Sequence, residues 1–464
     1  HDEWILGQPE YQPFAAATLK GTDGAAFLLI FEEGLTDSLD EGILDQWTAD
    51  IEAQGLSTEV VEVTYSTPEE LKSYLADKYT EGLEGAVLVG NLPVPWSALD
   101  DAFTDDGDEF PSDYFFMDLD GVWEDNWKGL PSLGRPGSDG LYDTFSGSLD
   151  PEIYVARIKV DNLLALGDPS EILNSYLQRN HEWKLVGDPE PLNALCYVDD
   201  AWFGWSSSYR NSMQHLYPNT ELVNDSAATN GTDYLDNRLP ADYVWISPFV
   251  HSNPAKHYWS PGPTTDWYEL VPALPQAHFY NLFACSNCRF TTVHSMGAVY
   301  AFCTSAGLAS AGSTKSGAML EFTPFYEPLG EGGSLGEAYR DWWDHIADGG
   351  LSPYELSWHL GMVLLGDPTL IPAMHILGIE EGTGEVLTPE LTFDRNPCYG
   401  AITVFYPAEN GTVEVYDISG RLAAAGILEN SESTIQVNSL NAGCYIIHVC
   451  TEGNTASAPL RVLK

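Results

Sequence analysis

The residues best equipped for chemistry are a histidine and a cysteine, each ending an apolar run. Tyr243-Val244-Trp245-Ile246 leads through Phe249-Val250 to His251, and Phe279-Tyr280-Asn281-Leu282-Phe283-Ala284 leads to Cys285. Runs of this length and composition read as buried strands. Neighbouring strands of a parallel sheet finish at one edge, where ligands and reacting groups collect. The stretch between the two runs is long enough for the crossover that a parallel pair needs. A thiol beside an imidazole can carry out nucleophilic acyl transfer. His251 would take the thiol proton and return it to the leaving amine, while the sulfur attacks a carbonyl carbon. The backbone N–H groups of Ser252 and Cys285 are the expected oxyanion donors, an effect worth ~3–4 kcal/mol. His257 is the reserve base.

Two other chemistries fit the same residues. Cys285-Ser286-Asn287-Cys288 spells Cys-x-x-Cys, a redox arrangement when it stands at a strand-to-helix junction. With His251 and His257 the two thiols also make a formal zinc set. The nucleophile ranks first on three features. The polar Ser286-Asn287 ends the apolar run, so the sulfur lies at an opening. A helix expected to follow would favour the thiolate at its N-terminus. A histidine at the end of another strand offers a base. Against redox, the preceding domain order is not thioredoxin-like and the expected helix has no basic cluster nearby. Ordinary readings exist as well: a strand-end cysteine is often a small buried hydrophobe, and His251 would serve as a core histidine bonded to backbone.

Several elements must position these groups. Strands are expected at 25–31, 58–63 and 85–90, with an amphipathic helix over 39–54 and a second opened by Thr67-Pro68-Glu69-Glu70 and running to about Thr80. Alternating strand and helix implies a parallel sheet flanked by helices. A second α/β lobe follows, with strands at 152–158, 194–198 and 220–223, the His251 and Cys285 runs, and a small-residue strand at 307–312. Helices are expected over 169–183, 206–216, 293–304, 334–346 and 354–364. After about residue 378 the helix signals stop, and short alternating strands describe an antiparallel sandwich. The resulting division is an irregular lead-in over 1–24, a first lobe over 25–145, a second over 146–378 and a β-sandwich over 379–464.

Composition narrows the function. The chain has 464 residues with 19 basic and 69 acidic side chains, a net charge of −50. Nucleic acid and anionic membranes need positive charge on their partners, so both are excluded as main partners. Repulsion on this scale calls for a salty or calcium-rich exterior. Residues 100–125 hold eleven acidic and no basic side chains. Asp106, Asp108, Asp118 and Asp120 there are candidate Ca²⁺ ligands, carboxylates interleaved with glycine; the alternative is a solvated acidic loop. Seven cysteines are too few for a disulfide scaffold, although one bridge among Cys398, Cys444 and Cys450 suits an exported chain.

Several segments in this order match a known pattern. Gly85-Ala86-Val87-Leu88-Val89-Gly90, Pro151-Glu152-Ile153-Tyr154-Val155-Ala156-Arg157, the His251 and Cys285 runs, and Leu365-Gly366-Asp367-Pro368-Thr369-Leu370 resemble the gingipain family of cysteine peptidases, as does the loop from Asp113-Tyr114-Phe115 to Gly121. The resemblance covers about 25–375. It implies a caspase-like fold in two α/β lobes, Cys285 as nucleophile, His251 as base and structural calcium. It also implies an orienting acid at Glu152, with Asp150 as substitute. Two positions depart from the family: Ser252 stands where it has Gly, and Cys288 where it has no second thiol. A Tyr416-Asp417-x-x-Gly420-Arg421 pattern followed by Leu440-x-x-Gly443-x-Tyr445 resembles the sorting domain of type IX (Por) secretion substrates. That implies contact with an outer-membrane secretion machinery and a place outside the cell or on its surface. The functional expectation is a secreted endopeptidase acting on protein or peptide. Its alternative is an inactive, self-assembling surface protein on the same scaffold, which the departures, fourteen Trp and twenty-four Tyr would suit.

Overall fold

The computed structural model describes residues 1–21, 24–100, 107–187, 192–373, 392–393, 401–406, 410–417, 422–440, 443–451 and 455–462. The chain divides into two compact units, His1–Ile376 and Leu377–Lys464.

The first unit is built on one 11-stranded sheet. Its strands are β1 (Ala16–Gly21), β2 (Phe27–Glu32), β3 (Thr58–Val63), β4 (Gly85–Val89), β5 (Tyr154–Ile158), β6 (Asn193–Val198), β7 (Asn219–Val223), β8 (Trp245–Phe249), and, beyond a hairpin of β9 (His251–Asn253) and β10 (Lys256–Tyr258), β11 (Phe279–Leu282), β12 (Ala309–Ser313) and β13 (Met362–Gly366). The order across the sheet is β1-β3-β2-β4-β5-β13-β12-β11-β8-β6-β7. The two expected lobes therefore share a continuous sheet. Strands β2, β3, β4, β5 and β13 run one way, while β12, β11, β8, β6 and β7 run the other, because β12 and β13 pair antiparallel. This reversal puts the start of β5 on the same rim as the ends of β8 and β11.

Local chemistry explains the elements. Strands β2, β4, β8, β11 and β13 are almost wholly buried, as apolar runs covered on both faces must be. Helix α1 (Ile43–Ala53) buries Ile43, Trp47 and Ile51. Helix α2 (Pro68–Glu81) opens with the reciprocal Thr67–Glu70 capping box and Pro at its first turn, as the sequence predicts. Helix α3 (Pro169–Val186) is capped by Asp168 and packs beside α1.

Two further sequence expectations change. Residues 16–21, assigned to the lead-in, add an antiparallel edge strand to β3. The helix expected over 354–364 stops at His359, and Met362-Val363-Leu364-Leu365 instead becomes β13, fully buried beside β12. Gly366, at φ +123°, ends it where a side chain would strike the Leu308 carbonyl, 2.4 Å away. Asp367 then turns inward. It accepts from Trp47 Nε1 at 2.7 Å and Asn180 Nδ2 at 2.9 Å, and pairs with Lys184 at 3.0 Å, fastening the end of the sheet to α1 and α3. Burial pushes this carboxyl up, but Lys184 and its hydrogen bonds outweigh that and hold it below the usual range.

The second unit is an antiparallel seven-stranded sheet. Alternate residues Ile402 and Val404, Val413 and Val415, and Ile447 and Val449 form its core with Leu428, Ile435 and Leu460.

Candidate active site

Strands β8 and β11 lie side by side, with Trp245 opposite Phe279, Ile246 opposite Tyr280 and, past the ladder, Phe249 opposite Phe283. The Val250 N–H donates to the Phe283 carbonyl at 3.0 Å, and the Phe283 N–H to the Pro248 carbonyl at 3.1 Å. One register offset holds throughout. Carried two residues further, the same offset would set His251 opposite Cys285; no hydrogen bond joins their side chains among the described residues.

Each side then leaves the sheet differently. His251 begins the β9–β10 hairpin, is exposed, and pairs across it with Tyr258. Its ring lies 5.4 Å from that of Trp202, which also packs edge-on to Phe283 at 4.8 Å. Cys285 is half-buried in a turn from Ala284 to Asn287, closed by the Asn287 N–H on the Ala284 carbonyl at 3.3 Å. Ser286 sits there at φ +58°, a left-handed conformation that serine rarely adopts and that marks stored local strain. The turn hangs from the end of β12 and the chain just after it, through Cys288 N–H on the Ser313 carbonyl at 3.0 Å and Ser286 N–H on the Lys315 carbonyl at 2.7 Å. Asn287 Nδ2 donates to the Asn253 carbonyl at 2.9 Å, tying the cysteine turn to the histidine hairpin. The sequence marks Asn287 only as a polar end to the apolar run; its tie to the hairpin rests on a partner 34 residues away.

No helix starts behind Cys285. The expected helix over 293–304 is a short α turn, Met296–Ala298, followed by a π turn, Val299–Cys303, so a helix dipole does not act on the sulfur.

Cys285 and Cys288 are both free thiols. Cys288 is buried with its sulfur 3.7 Å from Ser310 Oγ, and burial pushes its thiol up to about 12 despite that hydrogen bond. Its sulfur fits because Gly297 and Gly312 face it: an added Cβ would come within 2.4 and 2.7 Å. Cys450 is free as well; the side chains of Cys398 and Cys444 lie outside the described residues. His257 is also buried, with Nδ1 2.7 Å from Ser252 Oγ and Nε2 3.1 Å from Tyr300 Oη. Desolvation lowers it to about 3, so it remains neutral and cannot serve as the reserve base. With both ring nitrogens engaged, it leaves the zinc reading without a ligand.

Glu152 lies elsewhere on the rim. Strands β5 and β8 are four places apart, about 19 Å at ~4.8 Å per strand. The Glu152 carboxylate accepts the Leu119 N–H at 2.5 Å and gathers with Asp118 and Asp120, one oxygen from each lying within 4.8 Å of the others. No hydrogen bond joins it to His251 among the described residues. Burial is the main cause raising the Glu152 and Asp118 carboxyls. Asp118 is fully buried and accepts from Trp123 Nε1 at 2.6 Å and Gly121 N–H at 2.7 Å. Of the other expected calcium ligands, Asp108 is paired with Arg289 at 3.3 Å, away from this trio, and Asp106 lies outside the described residues. Asp150 accepts from Ser148 Oγ at 3.2 Å.

Among solved structures, the complex of Porphyromonas gingivalis RgpB pro- and mature domains aligns with 94% of this chain and 100% of its own, at 13% identity and a TM-score of 0.50. The Arg-specific cysteine proteinase gingipain R (RgpB) aligns with 96% of this chain and 100% of its own, at 12% identity and a TM-score of 0.49. The fold is gingipain-like. Residues 396–461 match the secretion system C-terminal sorting domain. A type IX sorting domain of this kind engages the secretion machinery and directs export to the cell surface or the extracellular space. No helix among the described residues is long and apolar enough to cross a membrane. No curated protein matches the sequence.

Proposed function

We propose that this gingipain-like chain is an exported cysteine endopeptidase with Cys285 as nucleophile and His251 as base. The observation that supports the reading is the constant β8–β11 register, which, extended two residues past Phe249 and Phe283, would set the two residues opposite one another. In the first step His251 takes the Cys285 proton, and the sulfur bonds to the peptide carbonyl carbon. The carbonyl π electrons move onto oxygen. Collapse of this adduct breaks the C–N bond, and His251 returns the proton to the departing amine. Water, deprotonated by His251, then cleaves the thioester and restores the thiol. The Cys285 N–H, which meets no acceptor among the described residues, and the Ser252 N–H are the proposed oxyanion donors. With no carboxylate bonded to it among the described residues, His251 works as half of a dyad, and Glu152 belongs to the acidic trio instead.

The trio is the proposed calcium site. Asp118, Asp120 and Glu152 supply hard oxygen ligands that fit Ca²⁺. Lys72, which acts on all three electrostatically, is the competing counter-charge. Under the calcium reading, chelation lowers the thermal midpoint and Asp118→Asn abolishes the response. Equal midpoints in calcium and in chelator assign the compensation to Lys72.

A second reading, an inactive assembling surface protein, draws support from Phe203, Trp205 and Tyr268, all more than half exposed. A peptidyl acyloxymethyl ketone separates the two. The peptidase reading expects the label on Cys285 alone, and none on Cys285→Ala or after His251→Ala. Absence of label from wild type, together with large particles in light scattering, favours the second reading.

A further inference from the structure

The hairpin that carries His251 stands on a buried chain of hydrogen bonds. Ser252 Oγ meets His257 Nδ1 at 2.7 Å, His257 Nε2 meets Tyr300 Oη at 3.1 Å, and Tyr300 Oη meets Tyr234 Oη at 3.0 Å. His257, Tyr300 and Tyr234 are fully buried, so each polar hydrogen needs an acceptor inside the chain.

Counting donors sets the direction. Tyr234 Oη has no other partner among the described residues, so its hydrogen goes to Tyr300. The Tyr300 hydrogen then goes to His257 Nε2, which leaves the imidazole proton on Nδ1, donating to Ser252 Oγ. The Ser252 hydroxyl completes the chain on the Val250 carbonyl at 3.5 Å. Run the other way, the chain would leave the Tyr234 hydroxyl buried without an acceptor, a cost of about 1–3 kcal/mol. Burial keeps His257 neutral, consistent with this single tautomer.

Side chains alternate along a strand, so holding Ser252 inward turns its neighbour His251 outward. The hairpin follows that rule: His251 and Asn253 are exposed and Ser252 is half-buried between them. We propose that His257 is a positioning residue which, by donating from Nδ1 to Ser252, holds the hairpin so that His251 faces Cys285. A buried hydrogen bond beneath the hairpin thus does what a carboxylate on the imidazole would otherwise do. This inference rests on the peptidase reading.

Two substitutions of His257 separate positioning from bulk. His257→Asn keeps an amide near the Nδ1 position, whereas His257→Gln fills more of the cavity but carries its amide toward Nε2 and Tyr300. The expected result is that Asn retains kcat to within about threefold of wild type, while Gln loses about tenfold or more at unchanged KM, in line with the rate cost of small misplacements. Ser252→Ala should behave as Gln does, and Ser252→Thr should restore the rate. A purely packing role would favour Gln over Asn, and that ranking, or equal rates, overturns the proposal. If wild type cleaves nothing and takes no peptidyl probe, the peptidase reading has failed separately. Amide hydrogen exchange over 250–258 then decides: exchange faster in Gln than in Asn upholds the tether, and equal exchange overturns it.

Discussion

Arg157→Met tests the buried framework that supports the rim. Arg157, on β5, is fully buried, and its Nε and Nη2 meet the two Asp113 oxygens at 2.7 Å each. Its remaining donors reach the Leu92 and Pro93 carbonyls, and the guanidinium lies 4.7 Å over the Phe290 ring, just beyond the Cys285 turn. Methionine keeps much of the stem's volume but leaves the Asp113 carboxylate buried without its cation. Breaking one side of such a pair costs about 3–5 kcal/mol. An unfolding entropy of roughly 2.1 cal/mol/K per residue gives ~0.8 kcal/mol per degree for a unit the length of His1–Ile376, so the midpoint should fall by about 4–6 °C. Calorimetry at a fixed scan rate measures this directly. Adding Asp113→Leu removes the stranded charge and should recover more than half of the loss, since well-packed apolar pairs often replace buried ion pairs at little cost. A single variant within ~1 °C of wild type, or a double variant no better than the single, would refute the reasoning.

Other consequences are as direct. Both His257, lowered to about 3, and His359, lowered to about 4, resist protonation when folded but titrate near 6.5 when unfolded. Below pH 6.5 the unfolded chain therefore binds more protons, so their contribution is intact above that pH and drains away as pH falls toward 4 and then 3. For His257 alone the loss between pH 6.5 and about pH 4.5 is roughly 2 kcal/mol. The stability deficit of His257→Asn should narrow by that amount over the same range, and a constant deficit contradicts it. Gly312→Ala should cost about 1–3 kcal/mol by driving a Cβ to 2.7 Å from the Cys288 sulfur, and adding Cys288→Ala should recover most of it; denaturant midpoints provide the check. In native protein, iodoacetamide should modify Cys285 and leave Cys196 and Cys288, both buried and with thiols pushed well up by that burial, untouched until denaturation.

Much of the framework was legible because it is written in short-range signals. The apolar runs ending at His251 and Cys285, the Thr67–Glu70 cap and the alternation in the second unit each depend on residues a few positions apart. What escaped depends on distant partners. Nothing near Met362-Val363-Leu364-Leu365 says that it pairs antiparallel with Ala309–Ser313, yet that single pairing reverses the sheet and merges two lobes into one. The same reversal puts Glu152 on the rim that His251 leaves but four strands away, where Leu119 and the Asp118–Asp120 pair occupy its carboxylate. His257 looked like a spare base because its burial comes from Tyr234 and Tyr300, remote in sequence. Cys288 looked like a redox partner, whereas Gly297 and Gly312 make room for its sulfur inside the core.

The central claim is that His251 and Cys285 act together on peptide bonds. Hydrolysis of a fluorogenic peptide library by wild type, Cys285→Ala and His251→Ala tests it most directly. Wild type should cleave, and each variant should lose at least about 10²–10⁴-fold, the scale set by removing a general base or the nucleophile it activates. Equal rates in all three, or no cleavage by wild type, would contradict it.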